Sequence, residues 1–476
     1  MTLPPRIADE AALFSRMEAF RAGDLPWRDG RAWALVYGVP EDVERVGKRA
    51  YMAYLSENGL DPTVFPSVMQ MENEVVAICL GHLGAPDGAV GNFTTGGTES
   101  CMMAVKAARD RARALKGITE PELILPVTAH AAFHKACEYF CVKKVLVPVD
   151  PVTFVADVAA MEAAITPNTI QLVGSAVSYA HGVVDPIVEL GQLALKHDLL
   201  LHVDGCIGAF LLPLFAELGA EVPPFDFSVP GVTSMSMDLH KYGFCPKPSS
   251  VVLYRDRALR KHQIFSCADW TGYTVVNPTF LSSRSGGPVA ASWAVLNYIG
   301  REGYLDLAKG MLEGTRRVVA GIEAIDGLRV LGTPQTNLVA FTADERPIFR
   351  IADAMKDRGW YVQPQLGFHG SPPNIHLSVN PDCLRWTDEL LADLAECTAA
   401  AVAPDVAGPD LGAMLAGVDP KQIDDATFAG ILAMAGIQGS ALPEHMADIN
   451  ELLNSLPPAF TQEMLREFLN QLYVPA

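Results

Sequence analysis

Met237-Asp238-Leu239-His240-Lys241-Tyr242-Gly243-Phe244-Cys245-Pro246-Lys247 sets a histidine and a lysine side by side between two apolar runs, Val232 to Met237 and Ser250 to Tyr254. Both runs have the length and composition of buried strands. A lysine at the end of such a strand is poorly solvated, so its pKa is expected to fall and its amine to attack an aldehyde. A lone lysine in a turn is ordinarily a surface residue. The reading of Lys241 therefore depends on what the rest of the chain supplies.

Two further segments supply it. Leu199-Leu200-Leu201-His202-Val203-Asp204-Gly205-Cys206 ends an apolar run on an aspartate, at the point where open α/β sheets bind ligands. A buried carboxylate needs a cationic partner, and the protonated pyridine nitrogen of pyridoxal phosphate is one that would keep the ring an electron sink. Phe93-Thr94-Thr95-Gly96-Gly97-Thr98-Glu99-Ser100 leads into an alanine-rich helix expected from Cys101 to Ala114. Glycines let the backbone approach an anion, and the amides of a helix N-terminus bind phosphate. Each segment alone is weak. In the order phosphate loop, aspartate, lysine, they point to pyridoxal 5'-phosphate held as a Schiff base on Lys241.

The chain has 476 residues, half of them hydrophobic, enough for a large core and two domains with extensions. A formal net charge of -19 argues against nucleic acid and anionic membrane surfaces as partners. Nine scattered cysteines form no disulfide framework and suggest a reducing, cytoplasmic compartment. Met1 to Arg6 has no apolar signal core, and no apolar run reaches the ~18 residues that span a bilayer. A soluble protein is expected.

Four regions follow from patterning. Residues 1–60 read as a polar, Arg-rich helical arm with Leu13, Met17 and Phe20 on one face and Trp27 and Trp33 beyond; an arm of this kind must pack on the body or on a second subunit. Residues 61–310 form the large cofactor-binding domain. Val68, Met71, Val75, Cys79 and Leu83 recur at helical spacing, and strands and helices then alternate: Leu123–Val127, Ala131–Cys141, Val145–Val149, Val158–Ile165, Ile170–Val173, Ile187–His197, Leu199–Val203. That alternation predicts a mostly parallel sheet covered on both faces. Residues 311–403 read as a small C-terminal α/β domain with helices Met311–Ile325 and Ile351–Arg358 and strands Leu328–Leu331, Leu338–Thr342 and Ile375–Ser378. Residues 404–476 are a helical C-terminal extension of undisclosed role.

Other constellations carry less. His130 and His134 have metal-ligand spacing on a predicted helix, but no acidic third ligand follows, and no metal is expected. Cys137 and Cys141 read as core. No Gly-x-Ser-x-Gly elbow gives hydrolase chemistry an anchor.

Phe65-Pro66 through Glu72, Glu74 and Val75, the Thr95-to-Ser100 loop, Ala129-His130-Ala131-Ala132-Phe133, His181-Gly182-Val183-Val184-Asp185-Pro186, His202-Val203-Asp204 and His240-Lys241-Tyr242-Gly243 together resemble the sphingosine-1-phosphate lyases, within the group II pyridoxal-phosphate-dependent decarboxylase family. The resemblance runs from about Tyr37 to Ser378, and Phe468 to Tyr473 is faintly similar to the lyase C-terminus. It implies the aspartate-aminotransferase-like fold type I, and a homodimer with active sites shared at the subunit interface. Lys241 would form the Schiff base, Asp204 bind the pyridine nitrogen, His130 stack on the ring, and Cys206 touch its other face. Gly97, Thr98 and His240 would hold the cofactor phosphate, with Ser283 from the neighbouring subunit. Tyr37 and Lys247 match positions that hold the substrate phosphate. Three departures stand out. Asp61 replaces a histidine of the substrate phosphate site, which implies a smaller or less negative substrate head; Gly205 replaces the usual alanine; and an N-terminal membrane anchor is missing, which implies a soluble, bacterial-type form.

The reading is a carbon-carbon lyase that cleaves an amino alcohol, such as sphingosine-1-phosphate, by retro-aldol chemistry. The base stays open between Lys241, the cofactor phosphate acting through water, and Tyr37. The alternative is an amino-acid decarboxylase, for which Arg284 is the candidate carboxylate ligand. A non-catalytic cofactor-binding protein is the third reading.

Overall fold

The computed structural model describes residues 3, 6–7, 9–402, 430 and 444–475. Its centre is a seven-stranded sheet of β1 (Val90–Thr94), β2 (Glu122–Pro126), β3 (Lys143–Val147), β4 (Thr169–Ser175), β5 (Leu200–Asp204), β6 (Val232–Met237) and β7 (Ser250–Tyr254), in the spatial order β1-β7-β6-β5-β4-β2-β3. The strands from β3 across to β6 are parallel, and β7 runs against both β1 and β6. Every residue of β2, β4, β5 and β7 is buried, as expected of a sheet covered on both faces. Alternation divides the apolar side chains. Leu123, Leu125, Val252 and Tyr254 pack under helices Gly97–Lys116 and Ala131–Phe140, while Ile124, Val251 and Leu253 face helices Pro66–His82, Ile187–Lys196 and Gly208–Glu217.

The strand and helix expectations of the large domain hold to within a few residues at each end, and Val232–Met237 and Ser250–Tyr254 form strands over the expected spans. Three strands were not expected. β1 contains Gly91 and Asn92, poor strand formers, and it exists because β7 offers it an edge. A short hairpin, β8 (Phe265–Cys267) with β9 (Val275–Asn277), lies beyond the sheet.

The second unit is an antiparallel sheet of β10 (Leu328–Val330), β11 (Leu338–Ala343), β12 (Gln363–Gln365) and β13 (Asn374–Ser378), in the order β10-β11-β13-β12. Helices Ile348–Asp357 and Thr387–Ala400 close its core. The helix expected to begin at Met311 begins at Gly287 and runs to Glu323, so position 310 falls inside it; Gly300, with φ 62°, breaks the regular path. Trp33 is fully buried in this second core, and the backbone beside it bridges Tyr361. The first sixty residues therefore contribute to the small unit. Helix Glu10–Phe20, by contrast, buries none of its residues, and Leu13, Met17 and Phe20 are exposed.

The C-terminal extension between residues 404 and 443 lies outside the described residues apart from Gly430. Helix Ala447–Ser455 docks on Ile348–Asp357, where the Asp353 carboxylate accepts from the amides of Met446 and Ala447 at 2.9 and 2.8 Å. Helix Pro458–Leu472 lies near Ala131–Phe140, leaving a groove between Tyr139, Leu465 and Leu469. Among the described residues no helix is long and apolar enough to cross a membrane.

Candidate active site

The carboxyl ends of β4, β5 and β6 bring Ser175, Asp204 and the 238–241 turn to one edge of the sheet, where a cavity of about 710 Å³ opens. This size and position suit a small-molecule site. Gly97, Thr98, His130, Asp204, Cys206, His240, Lys241 and Lys247 all line it. These expected residues come from separate segments between positions 97 and 247, and the fold assembles them in one place.

Helix Gly97–Lys116 points its N-terminus into the cavity, with Gly96 as N-cap at φ 147°. A side chain at 96 would be strained. A Cβ at Gly97 would fall 2.6 Å from Asp238 Oδ2 and 2.7 Å from Cys206 Sγ, so only glycine leaves the loop its close approach. Glu99 fixes the loop: its Oε2 accepts from the Thr95 amide at 2.6 Å and hydroxyl at 2.7 Å, and its Oε1 from the Phe280 amide at 2.7 Å. The free amides of a helix start then face the cavity.

Asp204 Oδ1 accepts from the Cys206 amide at 3.1 Å and the Ser236 hydroxyl at 3.2 Å. Burial pushes its pKa up, but nearby His130, the Cys206 hydrogen bonds and Lys241 outweigh that and hold it below the usual aspartate value. It is a carboxylate. His130 is the N-cap of helix Ala131–Phe140, its Nδ1 accepting from the Ala132 amide at 3.2 Å, and that bond leaves the proton of a neutral ring on Nε2. The ring is exposed toward the cavity, edge-on to Tyr179.

Lys241 departs from its expected chemistry. Burial pulls its pKa down, as the sequence suggests, yet the net shift is well upward, because the Asp238 carboxylate lies beside it. Asp238 Oδ2 is 2.9 Å from Lys241 Nζ, and both side chains are largely shielded from solvent. The amine is an ion-paired ammonium in this structure. His240 sits alongside, its Nδ1 bonded to the Ser249 carbonyl at 2.6 Å and its Cε1 3.8 Å from where a Gly96 Cβ would lie. Burial, the largest influence, lowers its pKa.

The remaining expected residues fall into two groups. Tyr37 lines an adjoining cavity of about 340 Å³ that shares His240 and Lys247 with the first, and Lys247 Nζ is 5.7 Å from the Tyr37 ring centre. Those two come together. Asp61 and Ser283 do not line the cavity of their own chain. Asp61 is exposed, accepting from the Thr63 amide at 2.8 Å and hydroxyl at 2.7 Å, bonds that lower its pKa. The two loops are joined: the Asn58 side chain accepts from the Arg284 amide at 3.1 Å and reaches the Ser283 hydroxyl at 3.5 Å. Arg284 is also outside the cavity, bonded to Glu72 Oε2 at 2.6 Å and to the Phe93 carbonyl at 3.3 Å.

Sequence reasoning missed Asp238, although it stands in the stretch that anchors the reading, three residues before Lys241. It also missed Ser175, whose buried hydroxyl has no partner at the cavity wall, and Tyr179, stacked on His376 at 4.4 Å with its hydroxyl on Gln363. None of the three has a local signature. Cys101 joins Asp204 and Cys206 with donor atoms within 4.8 Å of one another, but both thiol pKa values are raised: in Cys206 by the Cys101 hydrogen bond and then burial, and in Cys101 by burial against the lowering effect of its Cys206 hydrogen bond. The donor set fits pyridoxal phosphate better: a glycine cradle at a helix start, a carboxylate with one oxygen unengaged, an exposed imidazole and an amine in one cavity.

Comparison with known proteins agrees. A family model for the pyridoxal-dependent decarboxylase conserved domain matches residues 51–344, and one for a candidate helix-turn-helix domain at the C-terminus of pyridoxal-dependent enzymes matches residues 409–471. The chain is 40% identical over 400 residues to the sphingosine-1-phosphate lyase of Oryza sativa, covering 82% of this chain and 73% of that one, and 39% identical over 397 residues to that of Dictyostelium discoideum, covering 83% and 74%. The solved structure of a sphingosine-1-phosphate lyase from Burkholderia pseudomallei superposes with a TM-score of 0.81 at 37% identity, over 84% of this chain and 93% of the other. A Lactobacillus brevis glutamate decarboxylase shares the fold at 19% identity with a TM-score of 0.74. The fold is that of the aspartate-aminotransferase-like pyridoxal-phosphate enzymes, and the chain belongs to the sphingosine-1-phosphate lyase branch of the pyridoxal-dependent decarboxylase family, a pyridoxal-phosphate-dependent lyase.

Proposed function

We propose that this protein cleaves the carbon-carbon bond of a phosphorylated amino alcohol, sphingosine-1-phosphate or a close relative, to an aldehyde and a phosphoethanolamine-type amine. Pyridoxal phosphate, when bound, supplies the electron sink for that cleavage. The chain's residues do the rest. Gly97, Thr98 and His240 would hold the cofactor phosphate, Asp204 would answer the charge of the ring nitrogen, and His130 and Cys206 would contact the ring. Lys241 would anchor the cofactor and give way to the substrate amine. Tyr37 and Lys247 present a hydroxyl and a cation to the substrate phosphate. Removal of the hydroxyl proton falls to Lys241 once released or to Tyr37. Of the two, Lys241 lines the larger cavity while Tyr37 lies in the adjoining one.

One observation weighs for lyase over decarboxylase. Arg284, the arginine that the sequence offers for a substrate carboxylate, is spent on Glu72 and does not line the cavity, and Lys247, a cation that does, is assigned to the substrate phosphate. A charge paired and buried at 2.6 Å is not free to bind a second carboxylate.

We also propose a homodimer. Ser283 lines a smaller cavity of about 220 Å³ that shares Thr95, Glu99 and Pro248 with the first, its loop is tied through Asn58 to the segment that carries Asp61, and the apolar side chains of helix Glu10–Phe20 are uncovered, the last of which suits contact with a second copy. No nucleic-acid partner belongs to this reading. Residues 409–471 carry nine acidic residues against Lys421 and Arg466, the wrong sign for binding a phosphate backbone. A cytoplasmic location fits the unpaired cysteines.

The test is to incubate purified holoenzyme with phosphorylated amino alcohols and with amino acids, scoring aldehyde and carbon dioxide. Aldehyde from the former and no carbon dioxide from the latter is expected. Carbon dioxide with no aldehyde overturns the reading.

A further inference from the structure

The site holds two buried carboxylates, and the chemistry described so far uses one. Asp204 answers the ring nitrogen. Asp238, one residue beyond β6, is 3% exposed. Its Oδ2 lies 2.9 Å from Lys241 Nζ and 3.9 Å from His240 Nε2, and its Oδ1 has no hydrogen-bond partner among the described residues. A buried carboxylate with an unengaged oxygen is expensive. Here the turn that carries the lysine brings the two together, with the Lys241 amide on the Asp238 carbonyl at 3.4 Å.

We propose that Asp238 is a positioning residue that keeps the Lys241 nitrogen cationic and aimed into the cavity, both as a free amine and when joined to the cofactor aldehyde. This rests on the reading of Lys241 as the cofactor lysine. The balance is simple. An ammonium carries three protons. When its nitrogen bonds the carbonyl carbon and the carbon-oxygen bond breaks, two protons leave with the oxygen as water and one stays on the nitrogen of the protonated imine. Positive charge is conserved from start to finish, so one fixed anion at 2.9 Å favours both ends.

The other groups around Lys241 do not replace this anion. Tyr37, Tyr179 and Tyr242 have pKa values pushed up by burial, Cys206 by its Cys101 hydrogen bond and then burial, and all four are neutral. His240 is pushed down by burial and is neutral too. Lys247 is a second cation at the cavity wall, and Asp204, the only other carboxylate that faces Lys241 from a neighbouring strand end, makes no hydrogen bond to it among the described residues.

The experiment is a pH titration of the visible absorbance of holoenzyme for wild type, Asp238→Asn and Asp238→Glu, with borohydride labelling of each. The asparagine variant should lose its protonated-imine band at a pH lower by at least about one unit, a tenfold fall in proton affinity, and the glutamate variant should recover most of that. If the asparagine variant does not retain cofactor, the reading moves to the cofactor-free full chain. There, reductive methylation of Lys241 near neutral pH should be at least about tenfold faster in Asp238→Asn than in wild type. An unshifted titration with the label on Lys241, or equal methylation rates, overturns the proposal. Label on a different lysine overturns the cofactor assignment itself and the proposal with it.

Discussion

Arg284 donates to Glu72 at 2.6 Å across 212 residues of sequence, and the pair ties the loop before helix Gly287–Glu323 to helix Pro66–His82 beneath β1. Both side chains are mostly buried. Breaking such a pair from one side leaves an uncompensated charge, a loss of about 3–5 kcal/mol. Glu72→Ala should therefore lower the stability read by urea unfolding by about that much, while the double variant Glu72→Met/Arg284→Met loses less. A single variant as stable as wild type would show that Arg284 is free, and would reopen the decarboxylase reading.

Asp204 is held ionised by His130, the Cys206 hydrogen bonds and Lys241 against the pull of burial. Replacing it with alanine should leave the fold and the Schiff base intact but cut turnover by about 10²-fold or more, as when a preorganised charge is lost. Turnover near wild type would mean that the ring lies elsewhere.

Much of this site is legible in the sequence, for a physical reason. Asp204 and Lys241 follow apolar runs whose burial is unambiguous, and strand ends in a parallel sheet converge on one edge. Asp238 is as close to the lysine in sequence as in space, yet a lone acid before a turn reads as a cap or a solvated residue. Only the fold reveals that it is buried, and that the lysine's pKa rises where desolvation alone would lower it. Asp61 and Ser283 are illegible for another reason. Their placement depends on Asn58 bonding a loop more than 220 residues away. The start of the helix expected at Met311 is hard to read because Gly303 and Gly310 dilute the pattern of a helix that is already under way after the break at Gly300.

If Ser283 serves the neighbouring subunit's cofactor phosphate, defects should complement. Lys241→Ala alone is inactive, and Ser283→Asp alone is impaired by charge repulsion. Co-expression should restore activity, because one site of each mixed dimer combines a native Lys241 with a native Ser283. A mixture no more active than the sum of its parents, or a monomer by sedimentation that turns over, contradicts the shared site.

Asp61 is ionised and travels with the Ser283 loop. A carboxylate near a substrate phosphate repels it by about 1 kcal/mol in water and about 4 kcal/mol at the effective dielectric of a protein surface, at ~4 Å. Asp61→His should raise kcat/KM for a phosphorylated amino alcohol by about tenfold, ~1.4 kcal/mol of transition-state binding, with no gain for the unphosphorylated analogue. An unchanged or reduced kcat/KM for the phosphorylated substrate would show that Asp61 stays clear of it.

The central claim is that the edge of the sheet at β5 and β6 is a pyridoxal-phosphate site closed by Lys241. Borohydride reduction of the purified holoenzyme, followed by proteolysis and peptide mass mapping, tests it directly. The account predicts loss of the visible absorbance and a single phosphopyridoxyl label on the peptide containing Lys241. Label on Lys247 or Lys135, the other lysines at the cavity wall, would contradict it.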